Sequence, residues 1–106
     1  MLRISVQNGP LTTRFKLEGK LAHEWVAEAE KAWVALTAIN GQKKVIVDLF
    51  DVEFVDDMGK QLLAQMNHAG ADLVGSGPMI SALIEEIEGE ELLQTSEQKE
   101  EKELKQ

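Results

Sequence analysis

The chain has 106 residues, no cysteine, two histidines and a net charge of −8. That size suits one domain; the composition excludes disulfides and thiolate metal sites, and with only His23 and His68 as imidazoles it argues against a zinc centre. No apolar run approaches the roughly 20 residues that span a bilayer, and Arg3 interrupts the first apolar residues, so no signal-peptide pattern is read and a cytoplasmic location is expected.

The charge is uneven. Nine Glu and three Lys fall between Glu85 and Gln106, against ten acidic and eight basic residues in the rest. Neither part carries the basic patch that a nucleic-acid backbone or an anionic membrane surface requires.

Leu2, Ile4 and Val6 alternate with Arg3, Ser5 and Gln7, the period of a half-buried strand. Asn8-Gly9-Pro10 is turn chemistry. Phe15 and Leu17 then alternate with Arg14, Lys16 and Glu18, so the two runs predict a hairpin. Gly19-Lys20-Leu21 leads into a helix. At 100° per residue, Trp25, Val26, Ala29, Ala32, Trp33, Leu36 and Ile39 fall within an arc of roughly 140°, which is read as a core face rather than a ligand box. Asn40-Gly41 supplies a stop, since both tolerate the left-handed conformation.

Val45-Ile46-Val47-Asp48-Leu49-Phe50 is apolar at all but one position, as expected of a central strand covered on both sides. Asp48 is read as a polar strand end. Phe54-Val55 is expected to return the chain to the core. From Met58 the pattern turns helical, with Leu62, Leu63, Met66 and Ala69 on one face and Lys60, Gln61, Gln65, Asn67 and a solvated His68 on the other. Gly70 ends that helix.

Residues 71–75 predict a short strand. Pro78 sits well at the first position of a third helix, with Met79, Ile80, Leu83, Ile84 and Ile87 on its apolar face and an end at Gly89. Beyond Thr95 the composition is almost wholly Glu, Lys and Gln, a solvated helix or a disordered tail. The expected organisation is therefore a domain over 1–94 and a charged tail over 95–106. The order is that of an α/β fold, with a sheet of about four strands whose inner members are mostly parallel.

Two places invite a chemical reading. Asp56-Asp57 could hold Mg²⁺ and support phosphoryl transfer. A receiver-type phospho-acceptor domain, however, would carry such a pair after its first strand and a Lys after its last, and here neither holds. The alternative is a helix cap, in which one carboxylate accepts the orphan N–H groups and meets the positive end of the dipole. The second place is the turn Gly75, Ser76, Gly77 and Pro78, where an anion or nucleotide could sit at a helix start. It lacks the Lys-Ser/Thr pair of a P-loop, and a plain tight connection is the simpler reading.

The stretch "KKVIVDLFDVEFVDDMGKQLLAQMNHAGADLVGSGPMISALIEEI" resembles the central part of a STAS domain, the fold of bacterial anti-sigma factor antagonists and of modules attached to anion transporters. The earlier "FKLEGKL" is similar to the family's second strand and Gly turn. The resemblance covers most of residues 1–88. It implies that Asp56 matches the family Asp and Gly59 the family Gly. Met58 then stands where regulated members carry the phospho-accepting hydroxyl, so no phosphorylation is expected there. Asp57 would leave one negative charge near the place of that phosphate, an incomplete imitation of its roughly −1.5 to −2 charge.

The resemblance further implies a non-enzymatic regulatory module without cofactor or metal. Its partner would be a protein: a switch kinase or anti-sigma factor, or an ATPase or permease subunit of a transport system. The expected contact surface is Asp56, Asp57, Met58, Gly59, Lys60 and Gln61. Two departures stand out. Lys60 replaces the apolar or small residue usual after the Gly, and no final strand and helix are legible after Glu88. The resemblance therefore leaves a sheet edge that is bare, covered by the tail, or paired with a second copy as a homodimer. Other readings are a small-ligand or nucleotide domain using Gly75–Pro78, and a structural role through self-association.

Overall fold

The structure, a computed structural model, describes residues 1–89. The elements are β1 (Leu2–Asn8), β2 (Thr12–Leu21), α1 (Glu24–Asn40), β3 (Lys44–Val55), α2 (Asp57–His68) and β4 (Asp72–Val74), followed by a third helix, α3, over 78–89. The predicted tail over 95–106 lies outside the described residues.

The four strands form one mixed sheet in the order β1-β2-β3-β4. The hairpin β1/β2 is antiparallel, and β3 runs parallel to both β2 and β4. This is the α/β architecture expected from the element order. Parallel neighbours need a crossover, and α1 and α2 supply them.

Alternation decides the layers. Phe15 and Leu17 on β2, with Val47 and Leu49 on β3, are fully buried. They meet Ala29 and Leu36 of α1, Leu62, Leu63 and Met66 of α2, and Ile80 and Ile87 of α3 in one core. The intervening residues turn to the opposite sheet face, where Arg14 pairs with Asp48 at 2.9 Å and Lys16 with Asp51 at 3.2 Å.

Several expectations are corrected. Ile39 is not on the core face; it is 83% exposed, because it lies at the margin of the apolar arc, turned away from the side of α1 that buries Val26, Ala29 and Leu36. Trp25 is only half-buried. Trp33 does pack, edge-on against Phe15 with ring centroids 5.9 Å apart at 73°, as aromatic pairs prefer. Ala69 caps α2 on an exposed backbone turn, and Met79 is 42% exposed.

The central strand is longer than its apolar run. It continues to Val55, with two register shifts against β2. Each shift inserts extra residues and breaks the in/out alternation. That is why Phe50 and Phe54 are about half exposed while Val52 is buried, and Phe54 does not return to the core.

Asp48 is not a strand end. It lies inside β3 and is buried. One carboxylate oxygen accepts from Arg14 Nε and the other from the Phe50 N–H at 3.0 Å. Burial pushes its carboxyl up; the bonds from Arg14 and Phe50 and the charges of Arg14 and Lys16 outweigh that and leave it below the ordinary carboxylate value. Thr13 is fully buried without a sequence signal. Its proton goes to Asn40 Oδ1 at 2.7 Å, and Asn40 Nδ2 donates to the Lys43 carbonyl at 2.8 Å, which ties the end of α1 to the start of β2.

Candidate functional site

The start of α2 answers what the adjacent carboxylates do. Asp56 is the N-cap, in extended backbone, and its Oδ1 accepts from the Gly59 N–H at 2.8 Å. That is the geometry by which a short acidic side chain satisfies an orphan donor of the first turn. Its second oxygen accepts from the His23 N–H at 2.9 Å, and its own N–H donates to the Leu21 carbonyl at 3.2 Å. Asp56 therefore joins the end of β2, the start of α1 and the start of α2. The bonds from the His23 and Gly59 amides hold its carboxyl below the usual carboxylate range.

His23 is the residue that sequence reading missed here. It precedes α1 with φ 54°, the single described non-glycine residue with positive φ. Such a conformation is costly for an L side chain, and the bond from its amide to Asp56 helps to hold it.

Gly59 is buried for a steric reason. A Cβ there would lie 2.4 Å from the Leu21 carbonyl oxygen and 3.0 Å from side-chain atoms of Leu21 and Val55. Only glycine lets the first turn of α2 seat against the end of β2.

The remaining residues divide. Asp57, Met58 and Gln61 are exposed, with Met58 58% accessible. Met58 and Gln61 border a shallow groove of about 200 Å³ between α1 and α2, whose walls include His23, Val26, Glu30 and Gln65. Lys60 is half-buried and its ammonium group contacts Glu86 of α3. The structure thus brings Asp57, Met58 and Gln61 to one surface, commits Asp56 and Gly59 to building it, and turns Lys60 toward α3.

The second candidate, Gly75–Pro78, lies elsewhere on the fold. Gly75 is needed for packing, since a Cβ would meet the Ile80 side chain at 2.4 Å. Gly77 has φ 90°, and its carbonyl accepts from Ser81 to open α3. These roles account for both glycines without a ligand. Among the described residues, no three His, Cys, Asp or Glu side chains gather to hold a metal, and no helix is long and apolar enough to cross a membrane.

Lowered carboxyls have a consequence in acid. The stabilisation from Asp48 and Asp56 is present in full above the unfolded carboxylate value near 3.9 and is lost as pH falls through their lower folded values. Urea titrations are expected to give little change from these two groups between about pH 5 and 7 and a steep fall below about pH 4. In Asp56→Asn the fall is shallower, and Asp56→Ala has a lower melting temperature throughout because its cap is gone.

Fold and site together define a two-layer α/β domain with an exposed helix start at Asp57 and Met58. No family model and no curated protein matches the chain. Among solved structures, one described as "Crystal Structure Analysis of Mglu" is similar at 25% identity and a TM-score of 0.49, over 70% of this chain and 19% of that one. Another, an uncharacterized protein of the DUF3478 family with a SpoIIAA-like fold from Shewanella loihica PV-4, is similar at 17% identity and a TM-score of 0.45, over 74% of this chain and 70% of that one.

Proposed function

We propose that this domain is a non-enzymatic regulatory module that docks a protein partner through the start of α2, with no phosphorylation switch. The observation that carries the reading is the division of labour at 56–59. Asp56 is consumed as a cap and Gly59 by packing, while Asp57 and Met58 stand in solvent on the first turn. A methionine more than half exposed is an adaptable apolar anchor, and the carboxylate beside it orients a basic group on the partner. The resemblance to anti-sigma factor antagonists supports the same surface and suggests a switch kinase or anti-sigma factor as partner; the transport-related members suggest an ATPase subunit. Met58 in the acceptor position has no hydroxyl to phosphorylate.

Asp57→Lys is expected to weaken the complex by at least tenfold, the order seen for a close interfacial charge, with an unchanged circular dichroism spectrum and a melting temperature lowered by only a few degrees, because a cation then meets the positive end of the α2 dipole. Met58→Ala behaves alike, and mass spectrometry of the protein from its own cells finds no phosphate on residues 57–61. Wild-type affinity in both variants would show that the partner docks elsewhere.

A further inference from the structure

His23 holds a strained backbone conformation that the fold does not need from a histidine. Ala22 to Trp25 form a tight turn, closed by the Trp25 N–H on the Ala22 carbonyl at 3.1 Å. His23 follows Ala22 in it with φ 54° and ψ −131°, close to the first central position of a type II′ turn, a place that glycine favours. A residue with a Cβ is strained there. What the fold takes from His23 is main chain. Its N–H donates to Asp56, and its carbonyl accepts the Val26 N–H at 3.2 Å. Glycine would supply both bonds without strain. The imidazole is 81% exposed, and its Nδ1 stands 3.9 Å from Asp56 Oδ2, outside hydrogen-bond range.

The place the imidazole borders has a definite chemistry. His23 and Met58 both line the groove between α1 and α2. Val26 and Leu62, almost wholly buried, form its floor. Glu30 stands exposed on its α1 side, and Asp57 is exposed next to Met58. Among the described residues neither carboxylate forms an ion pair. The groove is thus apolar at its base and acidic at its edge. Its complement is an apolar side chain with a Lys or Arg beside it, and a groove flanked by two helices suits an amphipathic segment that offers both.

We propose that His23 is a further docking residue beside Asp57 and Met58, and that the groove it borders receives the apolar anchor of a basic amphipathic segment of the partner protein. This rests on the docking surface proposed above and extends it from α2 across to α1. The strain at position 23 is retained because the imidazole is used outside this chain, the pattern in which a functional side chain occupies a conformation that costs stability. Standing before the first turn of α1, the imidazole closes that end of the groove against the anchor. Glu30 and Asp57 take the basic group beside it.

Two variants of the full chain and a cross-linker test it. His23→Gly relieves the turn and is expected to melt about 4 °C or more above wild type, the relief outweighing the freedom that glycine adds to the unfolded chain. His23→Ala keeps the strain and is expected to melt within about 2 °C of wild type. A photo-reactive residue at position 65, on the same groove, is expected to form in the protein's own cells the same adduct as one at position 58. Either His23 variant is expected to cut that adduct roughly tenfold, and the linked partner segment is expected to carry Lys or Arg within one helical turn of the link. A His23→Gly chain that melts no higher than wild type, or a linked segment without a basic residue, overturns the proposal. An adduct that needs Asp57 but is indifferent to His23→Ala also overturns it and leaves the docking surface in place; no adduct from either position removes both.

Discussion

Replacing Gly59 by valine is expected to destabilise the fold by about 3 kcal/mol or more, the upper range of overpacking costs. The nearest obstacle to a Cβ is the Leu21 backbone oxygen at 2.4 Å, and it cannot step aside cheaply. Leu21 is fully buried, and the same oxygen accepts the Asp56 N–H. Relief would have to come from α2 lifting away, which stretches the Asp56–Gly59 cap bond. Gly59→Ala weighs two effects against each other. Alanine gains about 1 kcal/mol in a helix over glycine, but the clash costs about 1–3 kcal/mol, so the net is destabilising and smaller than for valine. A glycine kept here only for flexibility would give the opposite sign for alanine. Urea denaturation with an unchanged slope distinguishes them. The displaced turn carries Asp57 and Met58, so partner binding is expected to fall with stability in this series.

Phe15→Ala is expected to cost about 3–5 kcal/mol, the range for emptying an aromatic site in a core. Phe15 is fully buried on β2, paired with Val6 and Val47 across the two neighbouring strands, and edge-on to Trp33. Its loss leaves a cavity where hairpin, central strand and α1 meet. For a domain of this size each kcal/mol shifts the melting temperature by roughly 4–8 °C, so the variant is expected to be largely unfolded at 37 °C. Trp33 fluorescence reports the change directly. A loss under 1 kcal/mol would mean that α1 does not close over the hairpin as described.

Much of this architecture was legible in the residues because period carries it. Phe15 and Leu17 alternate with charges, and Leu62, Leu63 and Met66 recur at helical spacing. Asn40-Gly41 and Gly70 stop helices at the stated places. What escaped depends on partners distant in sequence. Asp48 reads as a strand end until Arg14, 34 residues earlier, is found bonded to it. Lys60 reads as a solvated contact residue until α3 brings Glu86 to it. The register shifts in β3 leave no periodic signature, so Phe54 was expected inside. Ile39 completes the apolar arc on a wheel, but the wheel does not show which side of the arc meets the sheet.

At the site, the cap could be anticipated from Asp56 standing before a helical run. The second duty of Asp56, holding the His23 amide, could not, because nothing in the sequence marks His23 for positive φ. The steric need for Gly59 likewise lies in the approach of Leu21, which only the folded chain shows. The exposure of Met58, ambiguous on the wheel at the margin of the apolar face, is settled by how α2 sits on β3 and β4.

The most direct measurement is photo-crosslinking in the protein's own cells from a reactive residue placed at position 58, compared with one at Glu53 on β3. The account predicts a discrete protein adduct from position 58 that disappears when Asp57→Lys is added, and none from position 53. Equal adducts from both positions, or an adduct at 58 indifferent to Asp57, would contradict it.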